Sequence, residues 1–264
     1  MNLNPIRRAL GLRQKPEYYP PVMAGPPENP EYFILLHKKG LHPKFELEER
    51  HYMRNVEEET RQFNLRRAHY ISLFPSKQHT SGHGFRRLDT TLNPAHFPKF
   101  VTLKKKVNFS EYMMPYVGLG INPNRDVFRL VRQIFKTSIE ELNPSLCQFI
   151  PFEFRLRTGE VIEKFFIIDF PKQYHAPIVM EKSGAKKTYS RKTLPMVSPE
   201  NWVFPDEDVV RKGQLIIQRP AATEQHLYFC GRNWWVYSKA LAQRLRPHIP
   251  AIDEFYPVHV EEKP

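Results

Sequence analysis

Hydrophobic periodicity divides the chain into a regular centre and irregular flanks. Within 149–157, Phe152, Phe154 and Leu156 share one side of an extended chain and Glu153, Arg155 and Arg157 the other, the alternation of a half-buried strand. Thr158-Gly159 marks a turn, and Val161 to Phe170 is apolar almost throughout, as a central strand would be. Upstream, Val101 to Phe109 reads as a strand with Lys104, Lys105 and Lys106 inside it. Asn122-Pro123-Asn124 opens a predicted helix, with Asn as the cap and Pro in the first turn. Its stripe is Val127, Phe128, Val131, Ile134, Phe135 and Ile139, and Asn143-Pro144 stops it. The order is strand, helix, hairpin.

The flanks follow other rules. Residues 44–73 read as one long helix, because Phe45, Tyr52, Val56, Phe63 and Tyr70 recur at steps of four or seven; the charges around this stripe are mixed, as on a solvated face. Residues 16–43 hold Tyr18, Tyr19, Pro20, Pro21, Pro26, Pro27 and Pro30, which sustain neither a helix nor a central strand. We expect an ordered arm docked through its aromatics. The tail from Pro247, with Pro250, Phe255, Tyr256 and Pro257, reads as a second docked arm. Residues 75–100 and 171–212 read as loops, 214–218 and 226–230 as short strands, and Ser238 through Arg246 as a short helix. The expected fold class is α+β, with three parts: a basic, proline-rich extension carrying one long helix (1–100), an α/β core (101–175), and an extension with a basic loop, short strands and a helix (176–264).

Composition turns this outline toward a partner. The chain has Lys+Arg 40 against Asp+Glu 28, a net charge of +12, with 25 prolines and only 11 glycines. Extended, basic, aromatic-bearing segments suit a polyanionic surface. Apolar runs such as Phe165 to Ile168 are far short of the ~20 residues a membrane helix needs. The two cysteines, Cys147 and Cys230, make no disulfide framework and fit a reducing compartment. Met1 to Lys15 carries Arg7, Arg8, Arg13 and Lys15 without an acid, and Ile6 and Leu10 share a helical face. That pattern is similar to a mitochondrial targeting helix and equally suits a basic arm on phosphate.

Catalytic signatures are missing. Gly118-Leu119-Gly120 begins like a dinucleotide loop, but the third glycine position is Pro123. His79, Ser81 and His83 sit in a loop with no placed acid. No zinc spacing is present, and we expect no cofactor, no metal and no catalytic residue. The candidate RNA-contact residues are Arg7 and Arg8; Arg86 and Arg87, beside glycines and Phe85; Lys104, Lys105 and Lys106; and Lys182, Lys186, Lys187, Arg191 and Lys192 in the densest basic run. No base-reading module is recognisable, so contact to phosphate and shape is expected.

The strand Val101 to Phe109, the helix ending at Asn143-Pro144, and the hairpin Phe154-Arg155-Leu156-Arg157-Thr158-Gly159-Glu160-Val161 resemble the small thioredoxin-like proteins of mitochondrial ribosomes, a family shared with an accessory subunit of respiratory complex I. Pro5-Ile6-Arg7-Arg8-Ala9-Leu10 is also similar to the start of some of these ribosomal proteins. The resemblance covers about a quarter of the chain. Since Ser110 to Asn124 contains no cysteine, it implies a redox-inactive scaffold in the mitochondrial matrix. The expected role is a structural, non-catalytic component of a mitochondrial ribosome that contacts rRNA and neighbouring ribosomal proteins as a stable member of a large assembly. No small-molecule substrate and no membrane insertion are expected. Two alternatives stay open: a non-catalytic accessory subunit of a respiratory-chain complex, and an RNA-processing enzyme or its cofactor protein.

Overall fold

A computed structural model describes residues 16–40, 52–53, 55, 57–58, 60–62, 64–65, 93–107, 109, 116–120, 127–169, 174–189, 200–230 and 234–262. The fold is α+β and is built on three sheets.

The first sheet has six strands in the order β3 (Tyr52–Met53), β4 (Phe100–Leu103), β7 (Gln148–Leu156), β8 (Val161–Asp169), β6 (Val127–Val131) and β5 (Tyr116–Gly120). Only β4 and β7 run parallel. The alternation in β7 is realised: Ile150, Phe152 and Phe154 are buried, and they join Val101, Leu103, Leu130, Phe165 and Ile167 in one core. Phe154 is its centre, stacked on Phe109 at 4.6 Å and edge-on to Phe165 at 5.5 Å. Pro151 costs this strand nothing, because β4 pairs with β7 only from Glu153 onward. The Thr158-Gly159 turn is also realised, with Gly159 at φ 88°.

The second sheet has the order β11 (Ile216–Gln218), β14 (Asp253–Glu261), β2 (Tyr32–His37), β13 (Trp234–Ser238) and β12 (Leu227–Cys230). Its two edges are joined by one segment. The Ala176 N–H donates to Phe229 O on β12 (2.9 Å), and the Phe229 N–H donates to Tyr174 O (2.8 Å). Three residues on, the Val179 N–H donates to Ile216 O of β11 (2.9 Å), and the Gln218 N–H donates to Pro177 O (2.8 Å). Residues 174–179 therefore close the sheet into a small barrel, which removes both exposed edges. Tyr32, Ile34, Leu36, Tyr228, Val236, Ile217 and Val258 fill it with Ala176 and Ile178.

The outer face of β2, β13 and β14 carries Phe33, Leu35, Trp235, Tyr237 and Phe255. These pack against helices α1 (Gln133–Leu142) and α3 (Lys239–Leu245), together with Val131 and Ile168 from the six-stranded sheet. One apolar cluster thus welds the two sheets. Ser238 caps α3 by accepting from the Leu241 N–H at 3.3 Å. Helix α2 (Glu207–Arg211) adds Val210 to the barrel core. The third sheet is small: β1 (Glu17–Tyr18), β9 (Lys186–Tyr189) and β10 (Glu200–Val203).

Several sequence expectations are corrected here. Residues 16–43 were expected as an arm docked on a partner; within them β2 is a central barrel strand, antiparallel to β14 from the expected C-terminal arm. The proline-bearing lead-in is docked, but on its own chain: Tyr19 N–H donates to Ala185 O (2.9 Å), Val22 N–H to Lys182 O (3.1 Å), and Gly25 O faces His259 Nε2 at 2.8 Å. Gly213, at φ 65°, lets Pro26 approach so closely that a Cβ there would lie 2.6 Å from the Pro26 Cα. Pro257 is tolerated in β14 because its nitrogen points the same way as that of His259, toward β11, and β11 pairs only from His259 onward. The expected helix over 44–73 is in part the strand β3, with helical backbone at 57–58, 60–62 and 64–65; residues 44–51 and 66–73 lie outside the described residues. The strand from Val101 stops at Leu103, so Lys104, Lys105 and Lys106 follow it rather than lie within it. The helix expected from Asn122 begins at Gln133, and its first apolar residues, Val127, Phe128 and Val131, belong to β6. The 171–212 region holds β9, β10 and α2 rather than loop alone.

The two cores make a direct test. Ile34 and Phe154 are fully buried, one in each sheet. Ile34→Ala should lower unfolding stability by about 2–5 kcal/mol and Phe154→Ala by about 3–5 kcal/mol in denaturant titrations, whereas truncation of exposed Val161 should cost far less.

Candidate nucleic-acid interface

The densest basic run of the sequence becomes a sheet. β9 is the middle of three short antiparallel strands, and its register sets two cross-strand rows. Glu17, Lys187 and Trp202 form one row. There the Lys187 ammonium lies 5.5 Å from the Trp202 ring centroid, and Tyr19 packs on the same indole at 5.3 Å. The Tyr19 hydroxyl donates to Glu17 Oε2 at 2.8 Å. The opposite row is Tyr18, Lys186 and Val203, and all three are exposed. Tyr18 is 62% exposed. The row offers a ring, an ammonium and an aliphatic side chain across about one nucleotide's width. Lys182 is already held by Glu261 at 2.6 Å.

Lys104, Lys105 and Lys106 form a second basic group. They continue from β4 where Leu103 pairs with Leu156 of β7, so they leave the sheet at the same end as Arg157 and the Thr158-Gly159 turn. All three are exposed. Lys106 stands 3.8 Å from Glu160, and Lys104, Lys105 and Lys186 have no ion pair among the described residues.

The acids explain why these charges stay uncompensated. Arg219 collects Glu31 and Glu262, with contacts of 2.8 and 2.6 Å; its bonds to them hold Glu31 below the usual carboxylate range and push the guanidinium pKa up. Arg211 holds Glu207 at 2.6 Å and Asp208 at 3.4 Å, Arg155 holds Glu153 at 2.5 Å, Lys136 holds Glu140 at 2.6 Å, and Arg244 pairs with Glu141. These acids are therefore engaged by local bases, which leaves Lys104, Lys105 and Lys186 without a partner acid among the described residues.

Groups with a catalytic look have structural work. His37 and Asp253 are cross-strand partners of β2 and β14, with Nδ1 to Oδ1 at 2.5 Å and the Asp253 carboxylate fully buried. The Cys230 thiol lies inside the barrel, where burial pushes its pKa up to about 12, so it stays protonated at neutral pH. His226 takes the left-handed backbone, φ 62°, beside Ser238 Oγ at 2.9 Å, and burial lowers its pKa. Gly118-Leu119-Gly120 lies in strand β5. No group of three or more His, Cys, Asp or Glu could hold a metal among the described residues, and none of their helices is long and apolar enough to cross a membrane.

Of the expected contact residues, the structure places Lys104, Lys105 and Lys106 at one site and Lys182, Lys186 and Lys187 at another, with Lys187 and Lys182 already engaged. Arg7, Arg8, Arg86, Arg87, Arg191 and Lys192 lie outside the described residues, as do His79 and His83. Tyr18 was legible only as an aromatic; the cross-strand register that sets it beside Lys186 was not.

If these lysines meet phosphates, their loss should change salt dependence. Lys104, Lys105 and Lys106 to Ser, or Lys186→Ser alone, should flatten the slope of log affinity against log salt by about 0.9 per lost phosphate on duplex RNA, about 0.7 on single strands. Circular dichroism should be unchanged, since these residues are exposed. An unchanged slope removes the residue concerned from the contact.

Among known proteins, no family model matches the chain, and no curated protein matches it significantly.

Proposed function

We propose that the protein is a structural, non-catalytic component of a mitochondrial ribosome that contacts rRNA and neighbouring proteins. The observation that carries this reading is local charge: Lys104, Lys105 and Lys186 stand exposed without an ion pair among the described residues, while Glu31, Glu207 and Glu262 are each matched to an arginine. A surface of that kind attracts phosphate at little desolvation cost. The chain as a whole carries a net charge of +12.

The finer reading of the fold, a thioredoxin-like scaffold, draws on the parallel pair β4 and β7, the helix α1 just before β7, and the β7–β8 hairpin. The hairpin β5–β6 intervenes between β4 and α1, so the unit is an elaborated one. The mitochondrial address rests on Met1 to Lys15 as a sequence pattern. An accessory subunit of a respiratory complex would use exposed aromatics for a protein partner; here Phe33, Trp235, Tyr237 and Phe255 are consumed in the chain's own core, while Tyr18 and Phe100 stay exposed.

Sedimentation of a mitochondrial lysate on a sucrose gradient tests the proposal. The protein should travel with one ribosomal subunit and shift to the top after RNase treatment. Sedimentation with a large particle indifferent to RNase supports the respiratory alternative, and absence from any large particle contradicts both.

A further inference from the structure

We infer that the open face of the six-stranded sheet is a stacking surface for unpaired RNA bases. The inference rests on the proposed RNA contact and adds to it the form of RNA that is recognised. Because Val101, Leu103, Phe152 and Phe154 turn into the core, their strand neighbours share the opposite face. The register aligns Met53, Thr102, Arg155 and Val161 in one row across β3, β4, β7 and β8, and Phe100, Glu153 and Lys164 in the next. Helix α1 covers this face over Phe149 and Phe166, where Lys136 rests on both rings at 5.8 and 5.4 Å. Among the described residues, the face is open beyond Pro151. Three of the exposed large hydrophobic residues lie there: Met53 at 43%, Phe100 at 46% and Val161 at 40%.

The open face is organised. The Arg155 guanidinium lies 4.5 Å from the Phe100 ring centroid, and its Nε and Nη2 both donate to Glu153 Oε2, at 2.7 and 2.5 Å. Glu153 thus holds the guanidinium against the ring, while nearly half of Phe100 remains in solvent. A planar cation on an aromatic ring is a platform on which any base can stack. A groove of about 870 Å³ runs beside it, between β4 and the helical backbone at 57–58 and 61–62, with Met53, Asn55, Lys99, Phe100 and Thr102 among its walls. Its volume accommodates a nucleotide.

Charge selects the occupant. Lys99, Lys104, Lys105, Arg157 and Lys164 surround the β4 and β7 side of this face with no ion pair among the described residues. Two acids of this region, Glu153 and Glu160, face Arg155 and Lys106. Glu57 and Glu58 stand on the helical wall of the groove, and Glu58 is bound to Arg61 at 2.6 Å, which directs a phosphate track to the strand side. An apolar protein partner would have to bury those lysines unpaired, whereas a single strand offers phosphates for them and bases for Phe100.

The test compares a single-stranded RNA 12-mer of mixed sequence with an RNA hairpin duplex by fluorescence anisotropy, using the full chain. Phe100→Ala should weaken single-strand binding about 5- to 150-fold, the range for one lost base stack, and leave duplex binding unchanged. Phe100→Tyr should restore it. Phe100 is half-exposed, so both variants should fold, which circular dichroism checks. If Phe100→Ala binds the single strand like wild type while Lys104, Lys105 and Lys106 to Ser weakens it, the RNA contact stands and the stacking face is wrong. If wild type binds neither RNA, the RNA reading and the stacking face both fall. If Phe100→Ala instead abolishes self-association seen by sedimentation, the face belongs to protein and the inference is overturned.

Discussion

Strand β2 has no solvent face, and the molecule depends on that fact. Tyr32, Ile34 and Leu36 point into the barrel, Phe33 and Leu35 point onto the helices, and all five are buried. Such a strand is stable only with neighbours on both sides. It finds β13 on one side and β14 on the other, both from the far, C-terminal part of the chain. Backbone hydrogen bonds of β2 therefore form only after the segments around 32 and 255 have met. The closure entropy of that long loop is offset by apolar burial on both faces at once, roughly 1.5–3 kcal/mol for each large side chain. The His37–Asp253 contact fixes the register at the end of the pairing.

The candidate surfaces hang from this closure. The Phe33, Leu35, Trp235, Tyr237 and Phe255 face holds α1 and α3, and α1 in turn covers Phe149 and Phe166 on the outer face of the six-stranded sheet. What α1 leaves bare is the Phe100–Arg155 platform. The lead-in to β2 is held along 182–185, so Tyr18 and Lys186 form one row because the barrel is closed. The two basic groups are placed by packing: Lys186 lies on β9, and Lys104, Lys105 and Lys106 follow directly from the end of β4.

The parts legible in the sequence are those whose structure is local. The β7–β8 hairpin was readable because Phe152 and Phe154 alternate with Glu153 and Arg155 and Thr158-Gly159 turns the chain. Helix α3 was readable from Ser238, and the end of α1 from Asn143. β2 was hidden because a strand buried on both faces loses its alternation, and the prolines before it read as an arm. Val127 and Val131 fit a strand or a helix equally well by spacing, and only the pairing of β6 with β8 decides between them. The closing segment at 174–179 carries no periodicity, since its bonds go to two strands far along the chain. For the same reason the lysines could be read as basic but not as paired or free. Phe100 and Met53 gave no sign that they would share one open face.

Amide hydrogen exchange tests the central claim most directly. If the β2–β14 pairing closes the fold, the amides of Tyr32–His37 and the paired amides of Asp253–Glu261 exchange together, among the slowest in the chain, at the rate of global unfolding. If either segment exchanges early, while the β7–β8 hairpin stays protected, the chain ends are separable from the core and the account is contradicted.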